Sequence, residues 1–196
     1  AKKAPELGIT AASFRLDFEA IEARGGNVVA FAEPNGGSGS LAVIGFTFVE
    51  AAELDSSYVL DIVVHEVYGH HEYGVYGTEY HLALFDQAAA TVPGYVAPAS
   101  GTTQRKNDID SYAYQETEIY AVLRSQPFHK APSAADASVV PALDPLTKVE
   151  FHLGEMIKLW DPKLIPSILR GLYVRLLIDP RITGSAINVF RDAVSK

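Results

Sequence analysis

Residues 58–71 have the sequence YVLDIVVHEVYGHH. Apolar side chains occur on almost every side of a helix drawn through this stretch, and the Asp-Ser-Ser segment at 55–57 supplies favourable N-cap residues. A helix that is apolar all round is buried in a protein core. The sequence therefore predicts a buried helix that carries three polar side chains, His65, Glu66 and His70.

The sequence before this helix has a strand-like hydrophobic pattern, and the sequence after it has a helical one. Apolar and polar residues alternate near Phe14, and apolar runs at 27–33 and 41–50 flank a Gly/Ser-rich loop at 34–40, which predicts an antiparallel hairpin. Helical patterns dominate after residue 55. They predict helices over 110–124, 147–160, 162 to about 177, and a last helix that Thr183 caps and that ends at Val194.

This order predicts the α+β class: a small N-terminal antiparallel β-sheet followed by a mostly helical, zincin-like part. The length of 196 residues fits a single domain over 1–196. Within it we expect a lead-in tail at 1–13, a β-rich part at 14–50 and a helical part at 55–196.

The amino-acid composition excludes several classes of function. The chain has no cysteine, which excludes a thiolate nucleophile, a disulfide framework and a cysteine-rich zinc finger. Its net charge of -8 argues against a nucleic-acid partner. No apolar run is long enough for a membrane span, so we expect a soluble protein. The sequence starts at Ala1 without a Met and shows no signal-peptide pattern, so we expect a processed product or an excised domain of a longer chain. Any metal must be held by His, Asp and Glu, and the chain has only 6 His.

The segment His65-Glu66-Val67-Tyr68-Gly69-His70 has the residue types of a zinc hydrolase helix. In such helices two imidazoles bind the metal, and the Glu that follows the first ligand faces the metal-bound water. Zinc lowers the pKa of that water to roughly 7, so the Glu can accept its proton as a general base.

The spacing between the two histidines differs from the usual H-E-x-x-H pattern. Residues four apart in an α-helix share a face, but residues five apart are separated by about 140°. A one-residue π-bulge would bring His65 and His70 together, and Gly69 would make this distortion less costly. His71, six residues after His65, fits neither geometry and is expected to be an exposed residue at the helix end.

A zinc site needs a third protein ligand, and the predicted helix at 110–124 offers Glu116 and Glu118. Glu116 lies within the apolar stripe, where a carboxylate is costly unless a positive charge meets it. We therefore prefer Glu116 and keep Glu118 as the alternative. The stripe with Glu116 holds Ile109, Tyr112, Ala113, Ile119, Tyr120 and Leu123; the face with Glu118 holds Ser111, Tyr114, Gln115, Ala121, Val122 and Ser125.

The motif resembles the H-E-x-x-G-H sequence of the dipeptidyl-peptidase III family of zinc peptidases. That family takes its third ligand from an E-E-x-R-A-E motif on a later helix. Here Gln115-Glu116 matches the first pair with Gln in place of the first Glu, and residues 117–120 do not match. The resemblance implies His65 and His70 as ligands, Glu116 as the third ligand and Glu66 as the base.

The resemblance covers a short part of the chain, and those peptidases are far larger, so their two-lobed fold and dipeptide release are not implied. More broadly, the chain resembles a small zincin of the kind expected in a metallopeptidase domain of an exported bacterial toxin or effector.

The sequence thus predicts a zinc-dependent metallopeptidase that acts on a peptide or protein substrate. Such an enzyme also needs a donor for the tetrahedral oxyanion. Tyr173, on a late helix, is the preferred candidate, and the others are Tyr120, His129 and Arg175. Two alternatives use the same ligands: another zinc hydrolase, such as an amidase or deacetylase, or a non-catalytic binding module with a structural metal.

Three further expectations concern polar residues outside this set. Asp61, one turn before His65, could accept a hydrogen bond from an imidazole N–H. His129, apart from its candidacy as an oxyanion donor, and His81 and His152 are expected to be ordinary surface or core histidines.

Overall fold

The computed structural model describes residues 14–15, 42–43, 61, 64–66, 69, 86–96, 99, 101–129, 144–159 and 161–196. Most of them belong to four helices, which are α1 (Thr103–Ser125), α2 (Pro145–Leu159), α3 (Ile165–Ile178) and α4 (Gly184–Val194). A 3₁₀ turn, Gln126–Phe128, follows α1 directly, and residues 86–91 are also helical. None of the helices in these ranges is long and apolar enough to cross a membrane.

The predicted N-terminal antiparallel β-sheet is wrong. In the described part of that region, strands β1 (Phe14–Arg15) and β2 (Ala42–Val43) have two residues each and pair in parallel. A parallel pair cannot be joined by a hairpin turn. The predicted strand at 27–33 lies outside the described residues. Since the other described segments are helices and their connections, the described part of the protein is helical rather than α+β.

The C-terminal helices confirm the sequence prediction with shifted starts. Thr183 caps α4 by accepting a hydrogen bond from the Ala186 backbone N–H at 3.3 Å, and α4 ends at Val194 as predicted. Helix α3 begins three residues later than expected because the Asp161 carboxylate and backbone carbonyl accept the N–H groups of Lys163 and Leu164 in a preceding turn. Helix α1 begins earlier than expected, at Thr103.

Helix α2 begins two residues before the predicted position because Asp144 caps it. The Asp144 carboxylate accepts hydrogen bonds from the backbone N–H and the hydroxyl of Thr147, at 3.1 and 2.7 Å. Proline fits the first helical position, since its missing N–H would have no partner there. The Thr147 hydroxyl is the main reason that the pKa of Asp144 lies below its ordinary value.

The core lies between the four helices. Helix α2 packs against both α1 and α4, and α3 packs against α4. Buried residues recur every three or four positions, so that each helix gives an apolar face to the centre. These include Ile119, Tyr120 and Leu123 of α1; Val149, Leu153 and Met156 of α2; Ile168, Leu172 and Leu176 of α3; and Ala186, Phe190 and Ala193 of α4.

A polar contact joins α1 to the turn between α3 and α4. The Tyr120 hydroxyl donates to the Asp179 carboxylate at 2.9 Å, and Arg181 forms two hydrogen bonds to the same carboxylate with its guanidinium at 2.7 and 2.8 Å. Burial alone would raise the pKa of Asp179, but the hydrogen bonds from Arg181 and Tyr120 outweigh it and hold the pKa below its ordinary value. This contact fixes the position of α1 against the C-terminal helices.

Candidate metal centre

The helix that carries the His65-Glu66 pair, which we call the motif helix and of which residues 61, 64–66 and 69 are described, has a distorted backbone at that pair. Asp61 and Val64 are α-helical, whereas His65, Glu66 and Gly69 have π-helical geometry. A five-residue spacing between two ligands requires this extra residue in the turn. The π geometry that a metal site at His65 and His70 would require is therefore present at the three described positions. His70, the second predicted ligand, lies outside the described residues, as do His71 and His81.

Gly69 is the point at which the motif helix meets α1. A Cβ atom at Gly69 would overlap both the Cα and the Cβ of Ala121. Only glycine allows so close an approach of the two backbones. Since Ala121 lies one turn after Glu118, the motif helix packs against the Glu118 side of α1.

We expect Gly69→Ala to destabilise the protein by about 1–3 kcal/mol, because the added methyl group must push two helices apart. Urea unfolding followed by circular dichroism would measure this cost. Gly154→Ala is a matched control: it lies within α2, and a Cβ there would meet no atom within 4 Å. The control should gain about 0.5–1 kcal/mol from better helix propensity. Equal stabilities of the two variants would contradict the close contact.

The carboxylate of Glu118 lies between two imidazoles. Its Oε2 is 3.5 Å from Nε2 of His65 and 3.9 Å from Nε2 of His152. Glu118 and both histidines have side chains less than one-fifth exposed. Glu66 is also buried. Three elements therefore contribute to one polar group: the motif helix, α1 and α2.

Tyr114 completes this group from the turn of α1 that precedes Glu118. Burial is the largest cause that raises the pKa of Tyr114, followed by the charge of Glu118, a hydrogen bond from the phenol to the Glu118 carboxylate, and the charge of Glu66. The phenol therefore remains a hydrogen-bond donor at neutral pH. We call the five residues His65, Glu66, Tyr114, Glu118 and His152 the Glu118 cluster.

Glu116, the preferred third ligand in the sequence prediction, has a different environment. Its carboxylate is fully buried and accepts a hydrogen bond from the Arg175 guanidinium of α3 at 3.0 Å. The apolar stripe did predict a buried carboxylate that needs a positive charge, and Arg175 supplies one. Glu116 and Glu118 point to opposite sides because residues two apart in a helix are separated by about 200°.

The four predicted oxyanion donors have partners outside the Glu118 cluster. Tyr173 stacks on Phe190, with ring centroids 6.2 Å apart, and lines a groove between α3 and α4. Tyr120 and Arg175 form the contacts with Asp179 and Glu116 described above. His129 contacts the buried carboxylate of Asp61 through its Nδ1 at 3.0 Å, so the imidazole that meets Asp61 there belongs to His129.

Two members of the cluster were missed in the sequence analysis. Tyr114 lies four residues before Glu118, so the helical period alone places them on one face. The sequence predicts that His152 is an ordinary surface or core histidine. It lies beside Leu153 on α2, and only the packing of α2 against α1 brings it to Glu118.

The donor set suits zinc in type and, for one pair, in spacing. Two ligand atoms on a tetrahedral zinc ion, each about 2.0–2.2 Å from the metal, lie roughly 3.4 Å apart. The separation of 3.5 Å between His65 and Glu118 is close to that value. Among the described residues, which do not include His70, no three His, Asp or Glu side chains form a group that could hold a metal ion.

Comparisons with protein-family models, curated proteins and solved structures find no match to this chain. The chemistry of the Glu118 cluster is therefore the basis for a functional proposal.

Proposed function

We propose that the protein is a zinc-dependent metallopeptidase in which His65, His70 and Glu118 hold the metal and Glu66 is the general base. The observation that carries this proposal is the Glu118 carboxylate at 3.5 Å from His65, in an H-E-x-x-G-H segment that is π-helical at His65, Glu66 and Gly69. Glu66 and Glu118 are two mostly buried carboxylates near one phenol. Two like charges in such a place favour a bound cation.

The choice of Glu118 over Glu116 rests on charge and on packing. Glu116 already has a cationic partner in Arg175 at 3.0 Å. Glu118 instead faces imidazoles, which are the usual companions of a carboxylate in a zinc ligand set. The contact between Gly69 and Ala121 supports the same choice, because it brings the motif helix to the Glu118 side of α1.

In this proposal Glu66 and Tyr114 have defined tasks beside the metal ligands. A zinc ion held there would polarise the peptide carbonyl and lower the pKa of water to roughly 7. Glu66 would take the proton from the attacking water and deliver it to the leaving amine. Tyr114 replaces Tyr173 as the proposed oxyanion donor, since its phenol lies beside Glu118 and keeps its proton at neutral pH. Its single O–H would have to turn from the Glu118 carboxylate to the oxyanion.

The test is metal content together with hydrolysis. Purified protein supplied with zinc should contain one zinc ion per chain by mass spectrometry, and it should cleave an unfolded protein substrate. A chelator should stop cleavage, and added zinc should restore it. Protein that binds no zinc, or that cleaves equally well with the chelator, would overturn the proposal. Cleavage of small amides without cleavage of peptides would instead favour the amidase alternative.

The ligand variants make this test specific. His65→Ala and Glu118→Gln should each weaken zinc binding by more than about 100-fold, which exceeds the usual cost of losing a residue that only supports a ligand. Glu155→Gln is the control for Glu118→Gln, because Glu155 is a carboxylate of α2 that pairs with the exposed Lys158. Its zinc affinity should equal that of the parent.

A further inference from the structure

A groove between α3 and α4 shares no residue with the Glu118 cluster. It encloses about 550 Å³, which is within the range of small-molecule binding sites in proteins. Apolar and aromatic side chains of both helices form most of its surface. The main ones are Ile165, Leu169 and Tyr173 of α3, with Phe190 and Val194 of α4. The groove therefore has the size and the lining of a site for an apolar group.

Two guanidinium groups border this apolar surface. Arg170 of α3 is exposed, and within the described part of the chain it forms no hydrogen bond or ion pair. Arg191 of α4 lies 3.4 Å from the neighbouring Asp192, and both of these side chains are more than half exposed. Exposed pairs of this kind contribute little energy. Both guanidinium groups can therefore bind an anion in the groove.

The charge of the groove is opposite to that of the chain as a whole. The chain has a net charge of -8, whereas the described residues that line the groove include two arginines and no acid. The negative end of the α4 dipole is weakened there, because the Ser195 N–H and hydroxyl both donate to the Arg191 carbonyl, at 3.1 and 2.8 Å. An arginine fork matches the geometry of a carboxylate. The groove therefore favours a ligand that is both apolar and anionic.

The length of the groove argues against a peptide as this ligand. It follows α3 from Ile165 to Tyr173, a distance of about 12 Å. A partner helix of that length has about eight residues, which is too short to be stable by itself. An extended peptide would need acceptors for its backbone N–H groups, and guanidinium groups only donate. An alkyl chain has neither requirement.

We propose that this groove binds a free, medium-chain aliphatic carboxylate. The alkyl chain would lie on the apolar surface between Leu169 and Phe190, and the carboxylate would meet the guanidinium groups of Arg170 and Arg191. A free molecule fits better than a lipid surface, because the apolar side chains are recessed between two helices and a single chain can fill the space. This site is independent of the proposed peptidase function.

The first experiment compares ligands by isothermal titration calorimetry on the full chain. Decanoate, kept below the concentration at which it forms micelles, should bind saturably with one molecule per chain. Decyltrimethylammonium has the same alkyl chain with the opposite charge and should bind at least about 10-fold more weakly. Each methylene group removed from decanoate should weaken binding by about 2–4-fold, as expected for partial to full burial of that group.

The second experiment removes the cations one at a time. Arg170→Gln and Arg191→Gln should each weaken decanoate binding by about 10-fold, the expected effect of losing one charge-assisted hydrogen bond. Lys163→Gln is the matched control, because Lys163 is an exposed cation in the turn before α3 that does not line the groove. Its affinity for decanoate should equal that of the parent.

The third experiment places a negative charge inside the groove. Val194→Asp should abolish decanoate binding, since the new carboxylate repels the head group of the ligand. Val174→Asp is the matched control: Val174 is 49% exposed and Val194 41% exposed, but Val174 does not line the groove. Because both positions are on the surface, circular dichroism should show parent-like helix content in both variants. The control should bind decanoate like the parent.

Several outcomes would overturn this inference. Decanoate could fail to bind, the cationic analogue could bind equally well, both arginine variants could keep the parent affinity, or the two valine variants could behave alike. Binding to anionic lipid vesicles without binding of free decanoate would identify a membrane surface instead, and tighter binding of an acidic amphipathic peptide would identify a protein partner. None of these measurements needs zinc or hydrolysis, so failure of the proposed peptidase function leaves this test intact.

Discussion

Glu66→Gln is expected to lower peptide hydrolysis by about 10²–10⁴-fold, the usual contribution of a general base, while zinc remains bound. The side chain of Glu66 is 7% exposed, and glutamine has nearly the same shape, so the packing should survive. An amide cannot accept the proton of the attacking water. The loss should therefore fall on kcat, with little change in KM.

The measurement is the rate of cleavage of an unfolded, fluorescently labelled protein by parent and variant at equal zinc content. Glu155→Gln on the surface of α2 serves as the control for the same chemical change and should cleave like the parent. A Glu66→Gln protein that cleaves as fast as the parent would show that the proposed mechanism is wrong. A variant that loses zinc would show that Glu66 supports the metal rather than the proton transfer.

Glu116→Gln is expected to destabilise the fold by about 3–5 kcal/mol and to leave zinc affinity unchanged. This is the usual cost of removing one partner from a buried ion pair, because the remaining charge is left uncompensated. Glu116 is fully buried, and the side chain of Arg175 is 16% exposed. Urea unfolding and zinc titration on the same preparations would measure both quantities.

The matching double variant tests the same explanation. Glu116→Leu combined with Arg175→Met removes both charges and should recover most of the lost stability, as apolar replacements of buried ion pairs often do. Glu118→Gln should show the opposite profile, with zinc binding lost and little change in stability. If Glu116→Gln loses zinc and stays stable, Glu116 is the third ligand and the assignment of Glu118 is wrong.

Local signals predicted the helices well. The Thr183 cap depends on neighbouring residues alone, and α4 begins and ends as predicted, whereas α3 begins three residues after its predicted start. Local spacing also identified π-helical geometry as the condition for a metal site at His65, and this geometry is present there. The prediction of an antiparallel sheet was wrong, because alternation near Phe14 identifies the two faces of a strand but not its partner or its direction. The pairing of Phe14 with Ala42 depends on residues that are far apart in the sequence.

The candidate site was predictable only in part, for a related reason. The choice between Glu116 and Glu118 assumed that α1 has one buried face. From Ile119 to Leu123 every residue of α1 is buried, so α1 has neighbours on all sides there. Periodicity cannot tell which of these sides meets the motif helix. For Tyr173, its position on a late helix gave no indication that its ring packs on Phe190.

The close approach of Gly69 to Ala121 fixes the separation of two helices that supply proposed ligands. If the site holds zinc as proposed, this separation would already be set when the chain folds. The entropy cost of bringing His65 and Glu118 together would then fall on folding and would not weaken zinc binding, which is the benefit of preorganisation. A metal-free protein would accordingly keep its two carboxylates and imidazoles in the positions that the proposed ion needs.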